Sequence, residues 1–170
     1  NEQQLGINNG GYKYSTPQNT LLPSGSEVSS IITGYYYGCA ILSTMDMYCW
    51  GEDGANRLNT AYSCNGDYTN GCYGNSRGIP AIAQLPTGRG AIGAYAGVDH
   101  TCVFIDNGGI NCFGSGNNGK LGNGTTEGGT STYVTMPVGI SLQTNDRDLD
   151  HDGIFNNEDN CMEGESGWVS

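Results

Sequence analysis

Cys102-Val103-Phe104-Ile105-Asp106-Asn107-Gly108-Gly109-Ile110-Asn111-Cys112-Phe113-Gly114 is the stretch whose reading decides the fold. Two short apolar runs flank Asp-Asn-Gly-Gly, a strong hairpin-turn signal. The midpoint between the cysteines falls on Asn107, which suits an odd-length loop with a Gly in the left-handed region. Cys102 and Cys112 then face each other across an antiparallel ladder, close enough for a disulfide. Such a staple is worth roughly 2–3 kcal/mol in the chain-entropy model.

Working outward, the hairpin recurs. Cys39 and Cys49 stand 63 positions before Cys102 and Cys112, around the poorer turn Ser43-Thr44-Met45-Asp46. The same offset links Gly34 to Gly97, Gly51 to Gly114, Leu58 to Leu121, Pro23 to Pro86, Gly25 to Gly88 and Pro17 to Pro80. A register held over so many Gly, Cys and Pro positions is the mark of a structural repeat. An earlier half-copy is visible where Gln4-Leu5-Gly6 matches Lys120-Leu121-Gly122. The copies differ between Leu58 and Pro80, where ten extra residues carry Cys64 and Cys72. That stretch reads as an inserted surface loop closed by its own disulfide. The expected pairs are Cys39–Cys49, Cys64–Cys72 and Cys102–Cys112, which leaves Cys161 unpaired.

Ala96-Gly97-Val98-Asp99-His100-Thr101-Cys102, followed by Cys112-Phe113-Gly114-Ser115-Gly116-Asn117-Asn118-Gly119-Lys120-Leu121-Gly122-Asn123-Gly124-Thr125-Thr126, resembles the repeat of the regulator-of-chromosome-condensation family. The resemblance covers residues 1–141. In the middle copy Tyr37 stands for the His, Asn59 for the second Gly, and Trp50-Gly51 supplies the aromatic–Gly step. It implies an all-β fold of short antiparallel strands in propeller blades, with about two and a half repeats: a partial blade over 1–33, then repeats over 34–96 and 97–141. So few blades cannot close a propeller by themselves. The chain is therefore expected to be a piece of a longer protein, or to be completed by blades of other chains; its start at Asn1 without a leader fits a mature form or an internal segment.

Composition agrees. There are 29 Gly and 11 Tyr but only 3 Phe and 2 Trp, and runs of Tyr, Ile, Val and Thr are broken by Gly, Asn and Asp. Seven cysteines in a Gly-rich chain argue for an oxidising, extracellular or cell-surface location. The formal net charge is −11, yet eight acids and one base crowd between Asn145 and Glu165. That local acidity points to cations, and the lack of a basic stripe argues against nucleic acid. No apolar run is long enough for a transmembrane segment.

Within residues 142–170, Asp148-Leu149-Asp150-His151-Asp152-Gly153-Ile154-Phe155-Asn156-Asn157-Glu158-Asp159 has the spacing of a calcium loop. Calcium takes six to eight hard oxygens. Asp148, Asp150 and Asp152 converge if Gly153 turns sharply, the Ile154 carbonyl and Asn156 follow, and Asp159 closes the shell. With Asn160-Cys161 the stretch resembles the thrombospondin type 3 calcium repeat, although Met162 departs from that pattern. The expected cofactor is Ca2+, in a stalk segment that orders when the ion binds.

Of the remaining candidates, His100 beside Asp99 is the one that invites an acid–base reading. Neighbours on a strand point to opposite faces, so both are expected to be structural. Tyr35-Tyr36-Tyr37 offers a sugar-stacking platform, or packing within a blade. Asn123-Gly124-Thr125 fits an N-glycosylation acceptor. The leading expectation is an adhesive or structural scaffold segment, not an enzyme, with self-association into a fibre or neighbouring repeats as partners. The alternatives are a secreted propeller that binds a protein ligand in the manner of an inhibitor, and a glycan-active enzyme.

Overall fold

The computed structural model describes residues 3–8, 14–62, 64, 66, 68–69, 71–124 and 134–135. The chain divides into two units, Asn1–Met136 and Pro137–Ser170, and every described residue belongs to the first. The described residues are all-β apart from two single-turn 3-10 segments, Gly54–Asn56 and Asn117–Gly119.

The first sheet contains β1 (Val28–Thr33), β2 (Tyr37–Leu42), β3 (Met47–Glu52), β4 (Cys72–Tyr73) and β5 (Ser76–Ile82) in the order β1-β2-β3-β5-β4. The second contains β6 (Ala91–Ala96), β7 (His100–Ile105), β8 (Ile110–Gly114) and β9 (Val134–Thr135) in chain order. Every pairing is antiparallel. The second sheet is a meander, as is β1-β2-β3 of the first, where β5 then pairs with β3 and β4 takes the edge; the first strand of each sheet carries a bulge, at Val28/Ser30 in one and at Ala91/Gly93 in the other. These are two propeller blades. β5 tolerates Pro80 because the ladder to β3 is interrupted there, between Ala81 and Arg77, so no pairing hydrogen bond is lost.

Cys39 lies directly opposite Cys49 and Cys102 opposite Cys112, with Cα atoms 4.1 and 4.0 Å apart and a disulfide joining each pair. Cys64 and Cys72 form a third disulfide at the root of the inserted loop. In the Asp106-to-Gly109 turn Gly108 takes φ +82°, and in the equivalent turn Met45 takes φ +66°. A side chain is strained in that region, at a cost of about 1–3 kcal/mol. The Met45 amide still donates to Leu42 O, as that of Gly108 does to Ile105 O, each at 2.9 Å.

The core lies between the sheets. Tyr37, Cys39, Ile41, Met47 and Cys49 of the first blade meet Ala91, Ala94, Val103, Ile105 and Phe113 of the second, with Leu58 at one end. The half-copy at the start of the chain shares the geometry of the later ones. Gly6 donates to Gln3 O, Asn59 to Asn56 O and Gly122 to Gly119 O, at 3.0, 3.2 and 3.0 Å, in matching turns. Gln3 and Gly6 both take positive φ, as do Asn56 and Asn59 and then Gly119 and Gly122. Trp50 is held by this segment, its indole N–H donating to Gln4 O at 2.7 Å.

Candidate functional site

The β1–β2 and β6–β7 turns, both 3-10 segments and the inserted loop gather at one end of the two blades. The turns are built alike. Gly34 N donates to Tyr37 O at 2.9 Å, and Gly97 N to His100 O at 2.8 Å. The Tyr37 ring sits against the Gly34 α-carbon and the His100 ring against that of Gly97, so a side chain at either glycine would overlap a ring. Gly51 and Gly114 close the same turns from β3 and β8. A Cβ there would lie 2.5 Å from the Tyr36 or Asp99 carbonyl oxygen, and φ is +99° and +107°. These positions require glycine because backbone occupies the space a side chain would need.

Tyr37 ties the blades together. Its hydroxyl donates to His100 O at 2.6 Å and lies 2.9 Å from Thr101 Oγ1, which itself donates to Arg57 O at 3.2 Å. Burial raises the pKa of this phenol, with the Thr101 hydrogen bond and Arg57 working in the opposite direction. Arg57 Nη1 bridges to Glu52 at 2.9 Å. At the matching position Lys120 grips both Asp99 oxygens, at 2.9 and 3.0 Å. Partial burial pushes the Asp99 carboxyl up, but Lys120, with His100 and Arg57 behind it, outweighs this and holds the group below its ordinary value.

Asp99 and His100 are therefore nearer than strand alternation suggests, with Oδ1 to Nδ1 at 3.7 Å, because Asp99 lies in the turn and not on the strand. Asp99 is committed to Lys120, and His100 Nδ1 is buried without a hydrogen-bond partner. This arrangement orders a turn. The tyrosine triplet divides two to one: Tyr37 enters the core, while Tyr35 and Tyr36 stay exposed with ring centroids 4.3 Å apart, edge to face. Turn geometry, unlike a strand, lets consecutive side chains share a side.

The inserted loop is anchored by Asp53, whose carboxylate accepts from Leu58 N and Cys64 N at 3.4 and 3.3 Å. Arg77 donates to Tyr62 O, and burial lowers its pKa against the pull of Asp53. Tyr62 and Tyr68 are exposed on this loop. The sequence reading picked out the loop but not Asp53 or Arg77; an Asp two residues after the aromatic–Gly step was the available signal. Asn123 is half-buried just after the second 3-10 segment, and Thr125 of its acceptor tripeptide lies outside the described residues.

The calcium-loop candidates Asp148, Asp150, Asp152, Ile154, Asn156 and Asp159, together with Cys161, also lie outside the described residues. Among the described residues no group of three or more His, Cys, Asp or Glu could hold a metal ion. No described helix is long and apolar enough to cross a membrane.

No family model matches the chain. Among the solved structures similar to it are two of a yeast protein and one of a human protein. Yeast RCC1 (Prp20), in complex with Kap60, aligns with TM-score 0.64 and 17% identity over 80% of this chain and 31% of that one. Prp20p from Saccharomyces cerevisiae, described together with its binding to Gsp1p and histones, gives 0.66 and 17% over 85% and 33%. Human WBSCR16 gives 0.54 and 20% over 68% and 29%. The fold is thus RCC1-like, and the chain spans about a third of the length of these proteins.

Proposed function

Starting from an RCC1-like fold, we propose that the chain is a non-catalytic extracellular binding scaffold whose turn face holds a protein partner. The observation that carries this reading is the exposed Tyr35–Tyr36 pair on a turn locked by Gly34, Gly51 and Tyr37. Tyrosines on a rigid support bury much area on binding and lose little rotamer freedom, which is why they dominate interface energetics. Tyr68 is likewise exposed, on the disulfide-rooted loop. The charges here are already paired within the chain, Glu52 with Arg57 and Asp99 with Lys120, so they stiffen the face. Protein binding is also what the similar yeast protein does in its complex with Kap60. Three disulfides suit an oxidising compartment. Residues 148–159 supply a calcium-stiffened stalk on this reading.

The test immobilises the oxidised full chain and exposes it to intact cells and secreted proteins of its source. Saturable retention that falls about tenfold in a Tyr35→Ser/Tyr36→Ser variant with unchanged thermal unfolding supports the reading. Retention indifferent to those substitutions overturns it. Retention competed away by free oligosaccharides would reassign the same rings to a glycan.

A further inference from the structure

At the other end of β2 from the tyrosine-bearing turn lies a cavity of about 340 Å3, within the size range of small-ligand sites. It is built mid-chain, from the β2–β3 hairpin and the linker that carries β5 into β6. The buried Met47 and Ala83 line it together with the more open Ile82 and Leu85. Asp46 and Arg89, both exposed, set two charges beside this apolar lining.

The hollow is formed in advance. Ala83 N donates to Met47 O and Ala91 N to Met45 O, each at 2.8 Å, so both ends of the linker are fastened to the hairpin. Between them Gln84 N donates to Asn59 O at 2.7 Å, and Asn59 Nδ2 donates back to Gln84 O at 2.6 Å. Arg89 N closes the turn at Pro86 O, at 3.0 Å. A lining fixed in this way needs little ordering when a ligand enters.

The two charges are not products of the repeat. The counterpart of Asp46 is Gly109 and that of Arg89 is Ser26, each 63 positions away. The Asp46 carboxylate accepts from Thr44 Oγ1 at 2.8 Å and pairs with no cation among the described residues. Arg89 leans elsewhere, its Nη1 3.9 Å from Asp106 Oδ1. One negative charge is thus left over at the edge of an apolar hollow. Among the described residues no aromatic ring lines the cavity, so nothing there cages a quaternary ammonium.

We infer that this cavity binds a primary ammonium group carried on an unbranched alkyl chain, the chemistry shared by a lysine side chain and a free alkylamine. The ammonium donates to Asp46, and the chain lies along Met47, Ala83 and Leu85. Burial of the chain supplies most of the binding, because an ion pair at an exposed carboxylate is weak. Arg89 opposes the cation. The site is separate from Tyr35 and Tyr36, so it stands whether or not their turn holds a partner.

The experiment follows the amide and methyl NMR signals of the oxidised full chain while 1-pentylammonium is added to about 50 mM. The expected result is saturable shifts at Met47, Ala83 and Leu85, with pentanoate of equal chain length binding about fivefold more weakly or worse. Asp46→Asn should weaken the amine about fivefold, and Arg89→Gln should tighten it about twofold. Both side chains are exposed, so the variants should fold, which thermal unfolding checks; the comparison of amine with pentanoate needs no variant. A blocked lysine, acetylated at its α-amine and amidated at its carboxyl, then separates the two sources. Affinity at least equal to that of the free amine assigns the cavity to a lysine of a protein partner, and its exclusion assigns the cavity to a small amine. No saturation with either ammonium overturns the inference, as does equal binding of pentanoate or an amine affinity that Asp46→Asn leaves unchanged.

Discussion

Tyr37 ties the first blade to the second through its hydroxyl. Its hydroxyl is buried among His100 O, Gly97 O and Thr101 Oγ1, all on the neighbouring blade. Tyr37→Phe leaves those groups short of a partner and should cost about 1–3 kcal/mol, read as a lower urea midpoint. The pH dependence has a definite sign. Burial holds the folded pKa above the ordinary 10.0, so on raising the pH the unfolded chain loses this proton first. The contribution is complete below pH 10.0 and is lost as the pH climbs from there through the higher folded value. The wild type should therefore weaken with alkali more steeply than Tyr37→Phe; parallel alkaline limbs would remove the phenol from the account. The sequence reading aligned Tyr37 with His100 through the repeat, and the structure gives both rings the same seat over a glycine. What the hydroxyl does was not legible. Its partners are about 60 residues away, and no local pattern encodes a contact across two blades.

At the scale of elements, hairpins and staples were the legible part. Asp-Asn-Gly-Gly between apolar runs names its turn, and cysteines at its two shoulders name their register. The Met45 turn was harder, because a Met at positive φ shows no glycine to read; Gly90, which leaves room for the Met45 side chain, appears only in three dimensions. The blades also distinguish their staples. Cys39 and Cys49 are wholly buried in the inter-blade core, whereas Cys102 is partly open on the outer face. Thiol–disulfide exchange needs access to sulfur. Limited reductant should therefore open Cys102–Cys112 well before Cys39–Cys49, as mass-mapped alkylation would show. A Cys102→Ser/Cys112→Ser variant should lose about 2–3 kcal/mol, or roughly 10 °C of midpoint. Prior opening of the buried staple would mean that the inter-blade core breathes more readily than its packing implies.

At the scale of the whole molecule, occupancy of the faces was beyond sequence. Ile41 and Phe104 read alike, as apolar residues beside a staple, and only the neighbour that covers one and misses the other tells them apart. Charge, by contrast, was legible at once: of a net −11, most falls between Asn145 and Glu165, after the repeats in the sequence. Unscreened carboxylates at alternate positions repel strongly, and a divalent ion offsets this by direct coordination. The two regions should accordingly answer to different chemistry. Calorimetric titration of the full chain with Ca2+ alone should show saturable binding, abolished in Asp150→Asn/Asp152→Asn. Chelator should leave the unfolding of the stapled blades unmoved, because no described cluster there could hold a metal, while reductant should shift it sharply. A blade transition that fell with chelator instead would place a structural cation among the sheets, and heat that survived the Asp150→Asn/Asp152→Asn change would remove the acid ladder as the site.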